Sequence, residues 1–454
     1  MISKAVCVLT AVCCLLLQTV KAQDTTTHFM RGNDTTAAGG IKWTLQQCID
    51  YAKRNNIQIN SLRLTAQLSE QDLLQSRAAR EPDLNASVSQ SVTRGRVLDT
   101  NGVSFNGHTG VLGNYSVSSG LILYNGNYIN NDIKQKGLIV QSSNLNITQT
   151  ENDITLQITQ AFLNILLAKE NIVYLQDVFN TSKAQLQLQQ QLYTAGSIAR
   201  KDFVTFQAQT ATDQYNLVLA QNTLRQNTLT LKQLLQLPVD TTFEANVPDS
   251  LTAQKMYPAL DLAVNTALQS RPEIKNGQLQ VDIAQLDLDK ARAGLLPTLS
   301  ANGSITSGYT GGDGGYFRQL DNNFFRQVGL SLTIPIFNKR VARTAIEKSK
   351  INIAQSEYNL QNTKTVLSQA VEQAYINVEN AESQYDAAVV TLQSAQETYN
   401  ITNEELKLGA INSVELLVQK NLYVQALQAY IQAKYNTVLY IKIYEFYMGI
   451  PVTL

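Results

Sequence analysis

The sequence predicts a mainly α chain with a small β part, organised as an internal tandem duplication that carries two long helical hairpins and four β-strands. Three observations lead there. Residues 44–93 and 259–308 align without a gap at an offset of 215: Leu45, Ile49, Ala52, Ile59, Arg77, Pro82 and Leu84 fall on Leu260, Val264, Ala267, Ile274, Arg292, Pro297 and Leu299. Farther on the offset is 213, pairing Tyr124-Asn125 with Phe337-Asn338, Gly196 with Gly409, Asp202 with Glu415 and Leu237-Pro238-Val239 with Ile450-Pro451-Val452. Secondly, no proline lies between Pro82 and Pro238 or between Pro335 and Pro451, and both stretches carry helical periodicity. Thirdly, four segments of about ten residues alternate apolar with small polar side chains, which is the strand period. A repeat this long is a duplicated architectural unit, not a solenoid motif of roughly 20–50 residues.

At the N-terminus, Lys4, an apolar run from Ala5 to Leu17 and Val20-Lys21-Ala22 have the layout of a cleavable secretory signal over residues 1–22, with the mature chain starting at Gln23. The run is too short to span a bilayer, which takes about 20 residues, and no later stretch is a helical span. Entry into a membrane would therefore be as strands. Cys7, Cys13 and Cys14 leave with the signal, and Cys48 alone remains, which excludes an intrachain disulfide. Neither Cys13 nor Cys14 has the flanking residues of a lipidation cysteine, so no lipid anchor is expected. Loss of Lys4 and Lys21 leaves 34 basic against 36 acidic residues, without the basic excess that nucleic acid requires.

Residues 23–43, rich in threonine and glycine, read as an extended segment. The first repeat, 44–239, opens on Thr44 with Gln47, a capping box, and predicts a helix over about 44–80. Leu84, Ala86, Val88 and Val92, then Tyr115, Val117, Leu121 and Leu123, mark two strands around an external loop at 94–114. Residues 127–194 predict one helix of about 100 Å at 1.5 Å per residue, longer than any globular domain needs. Ile154, Ala161, Ala168 and Leu175 interleave with Ile158, Ile165, Ile172 and Phe179 as a heptad seam. A linker at 240–257 leads to the second repeat, 258–454, whose first helix starts at Pro258-Ala259. Its strands carry Leu299, Ala301 and Ile305, then Val328, Leu330, Leu332, Ile334 and Ile336, around a loop at 308–327. Its long helix, 338–407, repeats Ala374, Ala381, Ala388 and Ala395 every seven residues. Helices alone would fit a plain coiled-coil stalk; the one-sided strands match outer-membrane barrel strands instead.

Four strands cannot close a barrel, and an open edge in lipid leaves backbone groups unsatisfied at several kcal/mol each. The chain must therefore find copies of itself. Two copies would supply eight strands and three would supply twelve, and both numbers close.

The strand-to-helix entries Leu123-Tyr124-Asn125-Gly126 and Pro335-Ile336-Phe337-Asn338, and the hairpin tips Gly196-Ser197-Ile198 with Asp202 and Gly409-Ala410-Ile411 with Glu415, fit one pattern. In doubled order they resemble the outer membrane efflux protein family, the TolC-like channels, over nearly all of the mature chain. The resemblance implies a homotrimer: a 12-stranded β-barrel in outer-membrane lipid, continued by a long-helix α-barrel through the periplasm. It also implies a passive exit duct of a tripartite efflux system, docked to a periplasmic adaptor (membrane fusion) protein and an inner-membrane transporter of RND or ABC type. No cofactor or metal is implied.

Both tip glycines sit between a long helix and a shorter returning one, where a left-handed residue is needed. The resemblance makes Gly196, Ser197, Ile198, Gly409, Ala410 and Ile411 the adaptor contacts, and places acids at Asp202 and Glu415 on a closed periplasmic aperture. Three Glu415 carboxylates around a threefold axis would attract cations; a helix-start acid favoured by the dipole is the competing reading. Leu406, Ile411 and Val418 replace the tyrosine, arginine and acid with which the best-known member locks that aperture. Arg200 or Lys201 is the expected substitute partner of Asp202.

Catalysis has no visible basis: His28 and His108 are the only histidines, and no nucleophile, metal or phosphate-cradling spacing occurs. Gly308 to Gly315 lack the lysine and helix of a phosphate loop. A protein-secretion duct of type I systems shares the fold and is the first alternative. A periplasmic tether or adhesin is the second; an adhesin would need a surface-exposed passenger, and external loops of about 20 residues each, at 94–114 and 308–327, are too short to supply one.

Overall fold

The computed structural model describes residues 42–98, 105–247, 257–311 and 315–453. The expected signal and residues 23–41 of the expected extended segment lie outside these. The described chain runs β1 (Lys42–Trp43), α1 (Leu45–Asn55), α2 (Ile57–Ala78), β2 (Asn85–Leu98), β3 (Phe105–Tyr124), α3 (Tyr128–Thr194), α4 (Arg200–Leu235) and β4 (Glu244–Ala245). The order then recurs as α5 (Leu260–Ser270), α6 (Pro272–Ala293), β5 (Thr298–Thr310), a short α7 (Tyr316–Asn322), β6 (Phe325–Thr333), α8 (Val341–Lys407) and α9 (Ser413–Tyr447).

Thr44 caps α1 through both halves of the expected box, but the helix expected over 44–80 is two helices. Asn56 breaks it: its backbone is extended, and its side-chain oxygen accepts from the amides of Gln58 and Ile59 to start α2. Two orphan donors are thereby satisfied, as an N-cap requires. The second copy breaks at the matching Arg271 by other chemistry, because Pro272 forces the residue before it out of the helical region. Pro258 lies outside α5, whose N-cap is Ala259.

The four long strands form one antiparallel sheet in the order β2-β3-β5-β6. Register sets Ala86 opposite Val117, Val117 opposite Ile305 and Ala301 opposite Leu330, so these share one face. Ser87, Ser116, Ser304, Ser300 and Ser331 share the other. The loops expected at 94–114 and 308–327 are mostly structured: β2 continues to Leu98, β3 starts at Phe105, β5 reaches Thr310, and α7 fills much of the second. Glycine misleads there. Gly308 sits in the ladder because a Cβ on it would stand 2.6 Å from the carbonyl oxygen of Gly113. β6 ends at Thr333, short of the expected Ile334 and Ile336, since Pro335 offers no amide to a ladder.

Strand turns to helix through two left-handed residues in each copy, Gly126-Asn127 and Lys339-Arg340. The long helices α3 and α8 have 67 residues each, and the returning α4 and α9 have 36 and 35. A returning helix therefore covers only half of its partner. The other half of α3 is covered by α2 and α6, and that of α8 by α5 and α6. Apolar packing concentrates at mid-height. One cluster joins Cys48, Ile59, Ile158, Ile165, Leu231 and Ile431; a second joins Ala263, Ala267, Val371, Val378 and Tyr444. Burial pushes the Cys48 thiol up to about 12, which keeps it protonated and inert. The parallel β1–β4 pair, flanked by Trp43 and Phe243, closes this girdle.

Candidate functional site

The hairpin tips lie at the far end of the long helices from the sheet. Each is closed by the same helix-ending motif. The Gly196 amide donates to the Tyr193 carbonyl and the Ser197 amide to the Leu192 carbonyl, and Gly409 and Ala410 do the same toward Leu406 and Glu405. Both glycines have φ near +73°, at 74° and 72°, and neither has a neighbour that a Cβ would meet. The left-handed turn alone fixes glycine there. In the first tip Tyr193 stacks on Phe203 across the turn, with ring centroids 5.5 Å apart.

Between the two tips is a cavity of about 670 Å³ that brings together Ile198, Asp202, Leu406, Gly409, Ile411 and Leu416. Asp202 and two of the three departures from the family pattern, Leu406 and Ile411, thus occupy one place, while Val418 is not among the residues that line it. The carboxylate of Asp202 accepts a hydrogen bond of 3.0 Å from the Ser413 hydroxyl. This ties α4 to the first residue of α9. Arg200 and Lys201, the expected partners of Asp202, are exposed, and Ser413 takes that role. The aspartate reaches Ser413 because both occupy first-turn positions on facing helices. Glu415 stands apart from the cavity, exposed, accepting from the Gln419 side chain at 3.2 Å while Asn412 caps its amide.

About two to four turns along the helices from the tips is an ion pair that sequence reasoning missed. Lys420 on α9 donates to Asp213 on α4 at 2.9 Å, with side chains only 3% and 5% exposed. Ser182 on α3 bonds both the lysine and the aspartate, and Gln209 donates to the second aspartate oxygen at 3.0 Å. Three helices from both repeats are pinned at one buried point. A signal existed: at the repeat offset Lys420, Asp213 and Ser182 match Gln207, Ala426 and Ala395, so all three depart from their copies.

Nearer the strands, Asp132 on α3 is held by Ser76 on α2 and by Lys290 on α6 at 3.1 Å. Burial works against that carboxylate, yet the Ser76 hydrogen bond and the Lys290 charge outweigh it and hold the group below its ordinary value. Beside Arg271, burial and the neighbouring Glu273 push the Asp153 carboxyl up.

With the sheet, the long helices and the paired tips in view, comparison with known proteins decides the family. The model of the outer membrane efflux protein family matches residues 48–236 and 263–439, once for each repeat. The chain belongs to that family. BepC of Brucella suis biovar 1, an outer membrane efflux protein, is 22% identical over 422 residues, 90% of this chain and 86% of BepC. AprF of Pseudomonas aeruginosa, an alkaline protease secretion protein, is 21% identical over 299 residues, 66% of this chain but only 62% of AprF. Among solved structures, CusC superposes with a TM-score of 0.79 at 17% identity, covering 92% of this chain and 96% of CusC. The fold is that of these channels, and the protein is one of the outer membrane.

Proposed function

We propose that the chain is the exit duct of a tripartite efflux system, conducting solutes passively from the periplasm to the exterior as a homotrimer. One observation carries the reading. A four-stranded sheet, apolar on one face and hydroxyl-lined on the other, ends in two unpaired edges, β2 and β6. Lipid tolerates no such edges. Three copies give the twelve strands of an outer-membrane barrel, and the 67-residue helices below it supply about 100 Å of periplasmic duct. The tips around Gly196 and Gly409 then meet a periplasmic adaptor, itself coupled to an inner-membrane transporter of RND or ABC type.

On this reading the aperture is held by a neutral-to-charged hydrogen bond, Ser413 to Asp202, inside an apolar surround of Leu406 and Ile411. Glu415 is free to face the axis. Purification from outer membranes followed by planar-bilayer recording tests the assignment. A trimer with discrete, cation-preferring conductance is expected, and Asp202→Ala with Glu415→Ala should raise conductance and weaken the preference. A monomer without conductance would sink the duct. The protease-secretion name of AprF favours one second reading, a duct for unfolded protein; cargo choice would then lie with the transporter, and the same trimer would serve.

A further inference from the structure

We propose that the outer rim of the sheet binds the phosphate of an outer-leaflet glycolipid of the lipid A type, held by Arg326 and Arg318 on a platform of aromatic rings. The inference rests on the outer-membrane location and on the face to which α7 folds. Tyr316 donates its hydroxyl to that of Tyr115 at 3.1 Å, and Ser307 donates to the carbonyl of Leu320 at 2.6 Å. Tyr115 and Ser307 are cross-strand partners on the face that carries Val117 and Ile305. The helix between β5 and β6 therefore lies on the apolar, lipid-side face and leaves the hydroxyl-lined face clear. Its rings extend the face: Tyr316 meets Tyr309 edge-on at 4.8 Å, and Phe317 is 70% exposed.

Arg326 shares that face, opposite Ile305 in the register. An arginine on the lipid side of a barrel strand is strongly destabilising at the bilayer midplane and nearly neutral at the interface. Below it on the same face the residues are Val328, Leu330 and Leu332, all exposed and apolar. Arg326 therefore marks headgroup level. Its guanidinium sits 4.8 Å from the Phe324 ring, and among the described residues no ion pair involves it or Arg318. Arg326 at the depth of lipid phosphates, against the Phe324 ring, with Arg318 exposed on the short helix folded to the same face and no described carboxylate paired with either, fits a phosphorylated headgroup. A zwitterionic headgroup would leave the charge half answered.

The test is native mass spectrometry of full-length protein taken from nanodiscs containing equal amounts of lipid A and phosphatidylcholine. The wild type should retain lipid A preferentially. R318Q with R326Q should lose that preference by at least roughly tenfold, the effect of removing even one of the two charge-assisted contacts, while R326K keeps most of it. Single-channel conductance of the same samples reads the duct separately and should not change. Equal retention of the two lipids by the wild type, or unchanged lipid A retention in the double variant, would overturn the proposal. If R318Q with R326Q fails to fold, the single variant F317S, which removes a ring but no charge, must lower retention of lipid A for the proposal to stand.

Discussion

Replacing Lys420 with methionine removes one partner of a charge pair that is almost entirely buried, at 3% and 5% side-chain exposure. Methionine keeps the volume and unbranched shape, so packing changes little. The Asp213 carboxylate then keeps donors from Ser182 and Gln209 but loses its counter-ion, and an uncompensated buried charge costs about 3–5 kcal/mol. Asp213→Leu strands the lysine in the same way. Replacing both together should restore most of the loss, since an apolar pair of similar size is commonly neutral or better. The signature is thus a coupling energy of several kcal/mol between two residues 207 positions apart. Denaturant unfolding in detergent, followed through the single Trp43 and by far-UV circular dichroism, reads it. A loss below about 1 kcal/mol for Lys420→Met, or a double variant as unstable as the sum of the singles, would refute the claim that this pair pins the hairpins.

Asn56→Ala should cost about 1 kcal/mol by removing the cap of α2, visible in the same denaturation, whereas Arg271→Ala should leave the matching break intact because Pro272 enforces it. Gly409→Ala and Gly196→Ala should each cost about 1–2 kcal/mol, the price of a left-handed alanine, with no steric component; faster proteolytic nicking at the tips reports it. Asp132 has a folded-state value below that of the unfolded chain, so its contribution is complete above pH 4 or so and disappears as the pH falls through the folded value. Asp132→Asn should therefore flatten the acid limb of a stability-versus-pH curve while lowering its plateau. Lys290, whose value is raised against the desolvating effect of burial by Asp132 and Asp287, gives the opposite limb, with stability lost at high pH.

Much of this was legible in the sequence because it is periodic. Heptads such as Ile154-Ala161-Ala168-Leu175 run over many turns, and alternation such as Leu299-Ala301-Ile305 survives in the register of the sheet. The tips were legible because a left-handed turn has few substitutes for glycine. The breaks at Asn56 and Arg271 carried local signals, a capping side chain and a following proline, that the long apolar period concealed. Ser413 as partner of Asp202 was beyond reach, since nothing local relates positions 211 apart. The Lys420–Asp213 pair was accessible only as a failure of the duplication. α7 was hidden behind glycines that, in isolation, describe a loop as well as they describe a tight ladder.

The hydroxyl-lined face of the sheet carries a consequence for permeation. Ser87, Ser89, Ser116, Ser118, Ser300, Asn302, Ser304 and Ser331 hold no formal charge, and each can both donate and accept a hydrogen bond. Around the proposed bore they would make a wall that solvates anions, cations and neutral solutes alike, with short side chains that leave the passage wide. Such a wall neither ranks its passengers nor retains them. Discrimination must then be exercised before a solute reaches the strands, and the outermost stage of the journey becomes the least selective.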